Sequence, residues 1–170
     1  MLKQIEQLGD YLTAWLVSEA YTSSAAGIFD DAFPPEPPEK SGVKWQVMPV
    51  STDPATPGLL QLDKVLGGEN RAAYLRTEIW SEQAQRAKME LGSDDGVKVW
   101  LNGELVHANN ASRVVTPGDD VFTINLQQGR NSWLLKITQG AGGWGACARL
   151  RNLAGGKLTG VRAALPELKN

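Results

Sequence analysis

An Asn-Gly dipeptide between two short apolar runs is the feature that most constrains what this chain can fold into. Asn102 and Gly103 both tolerate a positive φ, which a two-residue type I′ turn requires, so the sequence predicts a β-hairpin centred on them. Because successive side chains of a strand point to opposite faces, we expect Val99 in the core and Trp100 on the other face. The predicted cross-strand pairs are Leu101 with Glu104, Trp100 with Leu105, Val99 with Val106, and Lys98 with His107.

Alternation of apolar and polar residues recurs in short runs along most of the chain, and turn-forming residues separate these runs. We expect strands near residues 43–47, 73–80, 84–91, 97–101, 104–107, 121–126, 133–138, 146–150 and 158–162. This pattern predicts an all-β fold, an antiparallel β-sandwich of about eight strands with little helix. The predicted domain covers residues 11–163, between a linker or short N-terminal extension at 1–10 and a C-terminal linker at 164–170.

Composition narrows the classes of function. The net charge of −2 over 170 residues gives no basic footprint for nucleic acid. No apolar run is long enough to span a bilayer and no secretory signal is predicted in this chain, so we expect no membrane insertion. A single Cys and a single His disfavour disulfide, zinc and histidine-based centres. Carboxylates are present, but none lies in a recognisable active-site context, so we expect no enzymatic activity.

Six tryptophans are the one unusual number in the composition. Trp80 and Trp100 fall opposite the apolar positions of their predicted strands, whereas Trp45 and Trp133 fall on apolar faces. Aromatic rings on a polar sheet face are suited to stack on the C–H faces of sugars. The alternative is that residues 29–38, which contain four prolines and can form neither a helix nor a central strand, pack over these rings.

Three stretches, in this order, resemble one known superfamily. Residues 93–103, 126–131 and 133–137 are similar to the hairpin, the turn and the apolar strand of galactose-binding-domain-like domains. The resemblance implies an eight-stranded jelly roll that acts as a non-catalytic carbohydrate-binding module for a polysaccharide or oligosaccharide. It also implies a longer secreted or periplasmic parent protein, whose catalytic or neighbouring domains are partners.

Asp94 and Asp95 resemble the pair of aspartates with which protective-antigen-type lectin domains hold calcium and sugar together. Adjacent carboxylates suit Ca²⁺, which prefers oxygen ligands, so the resemblance implies a calcium site at this pair. The alternative is a simple turn, in which an Asp accepts backbone N–H groups before Gly96.

A glycine-rich loop at residues 140–145 contains Trp144. Glycines allow a large ring or a ligand to approach the backbone closely, so we predict that Trp144 stacks on a sugar, with Gln139 and Arg113 as hydroxyl partners. Two further candidates for hydroxyl binding are His107 and Asn110. The alternatives are that Trp144 plugs the end of the core and that the polar residues after the hairpin are structural.

A structural or protein-interaction β-sandwich is the rival function. Its tryptophans would all be buried, and its partner would be a neighbouring domain of the parent protein. Retardation by soluble polysaccharides in affinity electrophoresis separates the two functions.

Overall fold

The computed structural model describes residues 10–23 and 27–168, and this part of the chain forms two antiparallel sheets that pack as a sandwich. The predicted all-β sandwich is confirmed, although the described residues form twelve strands and not about eight. The strands are β1 Leu16–Ser18, β2 Tyr21–Thr22, β3 Trp45–Val47, β4 Leu60–Gln61, β5 Arg71–Ser81, β6 Gln85–Asp94, β7 Val97–Leu101, β8 Glu104–Asn109, β9 Asp120–Leu126, β10 Gly129–Gln139, β11 Gly145–Arg151 and β12 Val161–Ala164. The helix α1 is a single turn at Leu62–Val65.

The larger sheet is built around β5 and β10, which pair over eleven residues each. Its strand order is β3-β1-β5-β10-β7-β8, and the smaller sheet has the order β4-β11-β6-β9. Because β10 occupies one edge of β5 completely, the short strands β12, β1 and β2 share the other edge. The short strands β1, β2 and β4 are the ones that the predicted ranges do not include.

The core lies between the two sheets. The prediction that Val99 lies in the core is confirmed, and Val97 and Leu101 on the same face of β7 are buried with it; each of the three is at most 6% exposed. Trp133 also lies in the core as predicted, but Trp45 does not. Trp45 is partly buried against the outer face of the larger sheet, the face turned away from the smaller sheet.

The hairpin turn forms as predicted, with φ of 50° at Asn102 and 82° at Gly103. The predicted pairing is correct for Trp100 with Leu105 but wrong beyond it, because Val99 pairs with His107. A β-bulge places the extra residue, Val106, between these two pairs. Directly paired residues lie on the same face, so the bulge turns His107 towards the core side of β8.

A segment of irregular backbone, residues 27–40, crosses the outer face of the larger sheet. It is held there by Lys136, whose side chain is 0% exposed and whose Nζ donates to the carbonyl oxygens of Phe29 (2.9 Å) and Asp31 (2.6 Å). The same Nζ lies 3.2 Å from Glu36 Oε1, which also accepts a hydrogen bond from the Tyr74 hydroxyl at 2.6 Å. The alternative in which the proline-rich residues cover this face is therefore the arrangement found.

The predicted boundaries of the domain agree only in part with the structure. Residues 1–9 of the predicted N-terminal linker lie outside the described residues, and Asp10 already forms an ion pair with Arg151 at 2.7 Å. At the other end, β12 continues to Ala164, one residue into the predicted linker. Within the described part of the chain, no helix is long and apolar enough to cross a membrane.

Replacing Gly103 with Val is expected to lower the free energy of unfolding by about 1–2 kcal/mol, because a β-branched residue resists a positive φ. A Cβ at this position would meet no atom within 4 Å, so the loss would come from the backbone alone. Gly103→Asn is the matched control and should lose much less, since Asn tolerates this conformation. Urea unfolding of the three proteins measures the effect, and equal midpoints would contradict it.

Replacing Lys136 with Met is expected to cost about 3–5 kcal/mol, because it leaves Glu36 partly buried without its cation. Lys64→Met is the control: Lys64 is exposed on α1 and takes part in none of the described ion pairs, so its loss should change stability by less than about 0.5 kcal/mol. Thermal unfolding compares the two variants with the unsubstituted protein. Similar melting temperatures for both variants would show that Lys136 does not fasten residues 27–40.

Candidate functional site

Asp94 and Asp95 lie at one end of the sandwich, where β6 turns into β7. Asp94 is the last residue of β6, pairs with Gly145 of β11 and is 8% exposed. The Asp95 carboxylate accepts backbone N–H groups from two loops, that of Arg113 on Oδ1 at 3.0 Å and that of Gly140 on Oδ2 at 2.9 Å. Asp95 therefore accepts backbone N–H groups, as the alternative proposed, but it accepts them from two distant loops and not from its own turn.

The glycine-rich loop passes directly over the Asp94 carboxylate. A Cβ at Gly143 would lie 2.8 Å from Asp94 Oδ2, and a Cβ at Gly145 would lie 2.6 Å from the carbonyl oxygen of Leu60. The loop glycines do permit a close approach, but the approaching groups are the protein's own carboxylate and backbone. Residues 141–143 remain exposed beside the carboxylate.

The Asp94 carboxylate has no compensating cation. None of the ion pairs in the described residues includes it. Burial and the neighbouring Asp95 raise the pKa of Asp94 to about 6, and Asp63 adds a smaller repulsion. No group of three or more His, Cys, Asp or Glu in the described chain is placed to hold a metal ion. This end of the molecule is therefore an acidic pair without a basic partner among the described ion pairs.

Arg113 and His107 both bind the carboxylate of Asp120. Arg113 Nη2 donates to Asp120 Oδ2 at 2.9 Å, and His107 Nε2 lies 3.1 Å from the same oxygen. Burial alone would raise the pKa of Asp120, but the hydrogen bonds from Arg113, His107 and Asn109 outweigh it and lower the pKa to about 2. Both predicted hydroxyl partners are thus engaged within the protein, as the structural alternative proposed.

Trp144 is a core residue. It is 2% exposed, and its Nε1 donates to the carbonyl oxygen of Ile137 at 3.2 Å. The prediction that this ring stacks on a sugar is wrong, because the ring closes the end of the core, where it is removed from water. Gln139 is also 2% exposed and donates from Nε2 to the carbonyl oxygens of Gly68 and Gly142, while its Oε1 is buried without a partner.

The remaining predicted ligand residues are divided between covered and open positions. Trp100 is only 8% exposed and belongs to an aromatic cluster with Tyr74 under residues 27–40. Trp80 is 37% exposed, with the guanidinium of Arg162 5.2 Å from its ring centroid. Asn110 is exposed in the loop that follows β8.

The ladder between β5 and β10 separates these residues into two places. Gln139 pairs with Arg71 at the end near Asp94 and Asp95, whereas Trp80 pairs with Arg130 at the opposite end. The contact of Gly143 with Asp94 and the position of Arg130 and Arg162 beside Trp80 were not predicted. A local sequence pattern does not indicate such contacts, because they form when segments that are distant in sequence come together.

Comparison with known proteins identifies the fold and no family. No protein-family model matches the sequence, and no curated protein matches it. An anti-sigma factor domain-containing protein from Clostridium clariflavum has a similar structure, with a TM-score of 0.53 and 12% identity over 92% of this chain and 49% of that chain. Another anti-sigma factor domain-containing protein has a TM-score of 0.51 and 12% identity over 85% of this chain and 44% of that one.

A PA14 sugar-binding domain from an RTX adhesin is also among the matching structures, with a TM-score of 0.36 and 23% identity over 49% of this chain and 48% of that chain. The chain thus spans about half the length of these solved structures. At 12% identity, the likeness to the two anti-sigma factor domain-containing proteins shows the fold alone.

Asp94→Asn is expected to stabilise the protein at pH 7 by about 1–3 kcal/mol and to have little effect at pH 4. Because folding raises the pKa of Asp94 from 3.8 to about 6, the native state binds the proton more tightly. Stability should fall as pH rises from about 4 to 6 and should stay reduced above that range. Thermal unfolding in a chelating buffer at both pH values measures this. Asp53→Asn, in an exposed loop, is the control, and a lower melting temperature for Asp94→Asn at pH 7 would contradict the prediction.

Proposed function

We propose that this chain is a non-catalytic carbohydrate-binding β-sandwich that binds sugar together with calcium at Asp94 and Asp95. The observation that carries the proposal is the nearly buried Asp94 carboxylate, which lies against a second carboxylate and has no basic partner among the described ion pairs. Such a group is costly to keep charged unless a cation neutralises it. The pair also matches the residues that carry the resemblance to calcium-dependent lectin domains.

Asp94 and Asp95 could supply part of the oxygen ligands of a calcium ion. Ca²⁺ takes about six to eight oxygen ligands, of which the carboxylates of Asp94 and Asp95 would supply the charged ones. Each Asp95 oxygen accepts one N–H group and keeps a free lone pair for a further contact. Bound calcium would supply open coordination positions for vicinal sugar hydroxyls, which are oxygen ligands of the same kind.

The loop residues 141–143 are exposed and lie beside the acidic pair. The hydrogen bond from Gly140 N–H to Asp95 Oδ2 fastens the start of this loop to the carboxylates. A sugar that reached the pair would therefore approach over this loop. We further propose that the chain is part of a longer secreted or periplasmic protein that acts on or attaches to polysaccharides.

A structural or domain-interaction role is the second candidate, and the burial of four of the six tryptophans favours it. Trp15, Trp100, Trp133 and Trp144 are each at most 8% exposed, as this role predicts, whereas Trp45 is partly buried and Trp80 is 37% exposed. The exposed Val114 and Val121, at 72% and 54%, add apolar surface that a neighbouring domain could cover.

Affinity electrophoresis against pectic, marine and hemicellulosic polysaccharides tests the proposal, in calcium and in EDTA. At least one polysaccharide should retard the protein more in calcium than in EDTA, and Asp94→Asn should abolish that difference while Asp53→Asn keeps it. Calorimetric titration with calcium alone should show tighter binding at pH 7 than at pH 5, because the proton on Asp94 competes with the metal below its pKa of about 6.

Two kinds of result would contradict the proposal. No binding of calcium by the unsubstituted protein, or equal retardation in calcium and in EDTA, would overturn the calcium site. No retardation by any polysaccharide would favour the domain-interaction role.

A further inference from the structure

Part of the outer face of the larger sheet is left open by the segment that covers the rest. The outward side chains of β5 are, in order, Tyr74, Arg76, Glu78 and Trp80, since Leu75, Thr77 and Ile79 between them are buried. Residues 27–40 cover Tyr74 through its hydrogen bond to Glu36, and they end their contact with β5 at Arg76. The face beyond Arg76 lies outside the contacts of that segment.

Trp80 stands in the middle of a row of three side chains on this open part. Arg130 of β10 and Arg162 of β12 are paired with Trp80 from its two sides, and directly paired side chains lie on the same face. Arg162 is exposed and lies over the indole ring, and Arg130 reaches Glu78 at 3.7 Å. A cleft of about 320 Å³ opens beside the ring and is lined by Glu82 and Arg162.

A second cleft opens at the other limit of the open part, where the covering segment ends. Its volume is about 200 Å³, and Pro35, Pro37 and Trp100 line it together with Ser132, which pairs with Glu78. Arg76 and Glu39 form an ion pair of 2.7 Å on its wall. An aromatic ring with apolar neighbours and a few fixed polar groups is the usual composition of a small-ligand site.

We infer that this open face, named here the outer platform and defined by Trp80, Arg130, Arg162, Glu78, Ser132 and Arg76, binds a neutral oligosaccharide without calcium. From Trp80 to Arg76 the platform is about 13 Å long, at about 3.3 Å per residue of strand, which is the length of a short oligosaccharide. The inference rests on the proposed carbohydrate-binding function, but it does not depend on Asp94 and Asp95, which lie at the opposite end of the sandwich.

The charges of the outer platform select an uncharged ligand. Arg76 is paired with Glu39 and Arg130 with Glu78, and Glu82 lies in the same cleft as Arg162. The two ion pairs present hydrogen-bond donors and acceptors to hydroxyl groups while their charges cancel. An acidic sugar would meet the carboxylates of Glu78 and Glu82, so the balance of charge favours a hydroxyl-rich neutral chain.

The test is affinity electrophoresis and calorimetry with neutral hemicellulosic and acidic pectic polysaccharides, in EDTA throughout. A neutral polysaccharide should retard the protein, and its affinity should change less than about two-fold between low and high salt, because screening acts on net charge. Trp80→Ala and Arg162→Ala should each weaken binding by about ten-fold or more, through loss of stacking and of hydrogen bonds. Arg86→Ala is the matched control, since Arg86 is exposed on the smaller sheet.

Circular dichroism and the melting temperature establish that each variant is folded. Because a phenyl ring can also stack on a sugar, Trp80→Phe should recover part of the binding that Trp80→Ala loses. Equal binding by Trp80→Ala, Arg162→Ala and Arg86→Ala would overturn the inference. Tighter binding of the acidic polysaccharides, lost at high salt, would overturn the neutral ligand.

Retardation that occurs only in calcium would also overturn the inference, and it would leave the proposed function standing. If EDTA-resistant, Trp80-dependent binding is found without any calcium-dependent component, the inference stands and the calcium site fails. If no polysaccharide retards the protein under any condition, both fail.

Discussion

The buried ammonium group of Lys136 is the contact on which the arrangement of the outer face depends. A cation without solvent exposure is tolerated only when acceptors surround it, and here two backbone carbonyls and the Glu36 carboxylate do so. All three acceptors belong to residues 27–40, so this segment cannot leave the sheet without stranding the charge. Burial lowers the pKa of Lys136, and the carboxylate of Glu36 opposes that effect.

The covering segment determines which aromatic rings meet solvent. Tyr74 and Trp100 lie beneath it, and Phe33 stacks over Tyr21 with ring centroids 5.2 Å apart. Trp80 lies beyond its reach and keeps an exposed ring. Without this segment, Tyr74, Trp100 and Trp80 would all be exposed on the outer face of the larger sheet. With it, only the short area around Trp80 stays open, and the charges there are balanced.

The two ends of the sandwich differ in how their charges are balanced. Near Trp80, Arg130 lies 3.7 Å from Glu78 and Arg162 lines the same cleft as Glu82, whereas Asp94 at the other end is buried against Asp95 without a cation among the described ion pairs. The eleven paired positions of β5 and β10 hold these ends about 30 Å apart, at about 3.3 Å per residue. A ligand bound at one end therefore does not contact the residues at the other end.

Local chemistry in the sequence by itself determined the longer strands, the hairpin turn and the inward residues of β7. Asn102 and Gly103 accept positive φ in any context, and alternation places Val97, Val99 and Leu101 on one face because the strand period is two residues. Tertiary structure decided the bulge at Val106, the burial of Trp144 and the cover over Trp100. Each of these depends on segments distant in sequence, as in the contact of Lys136 with Glu36, and a local pattern cannot state which distant residues will fill a given space.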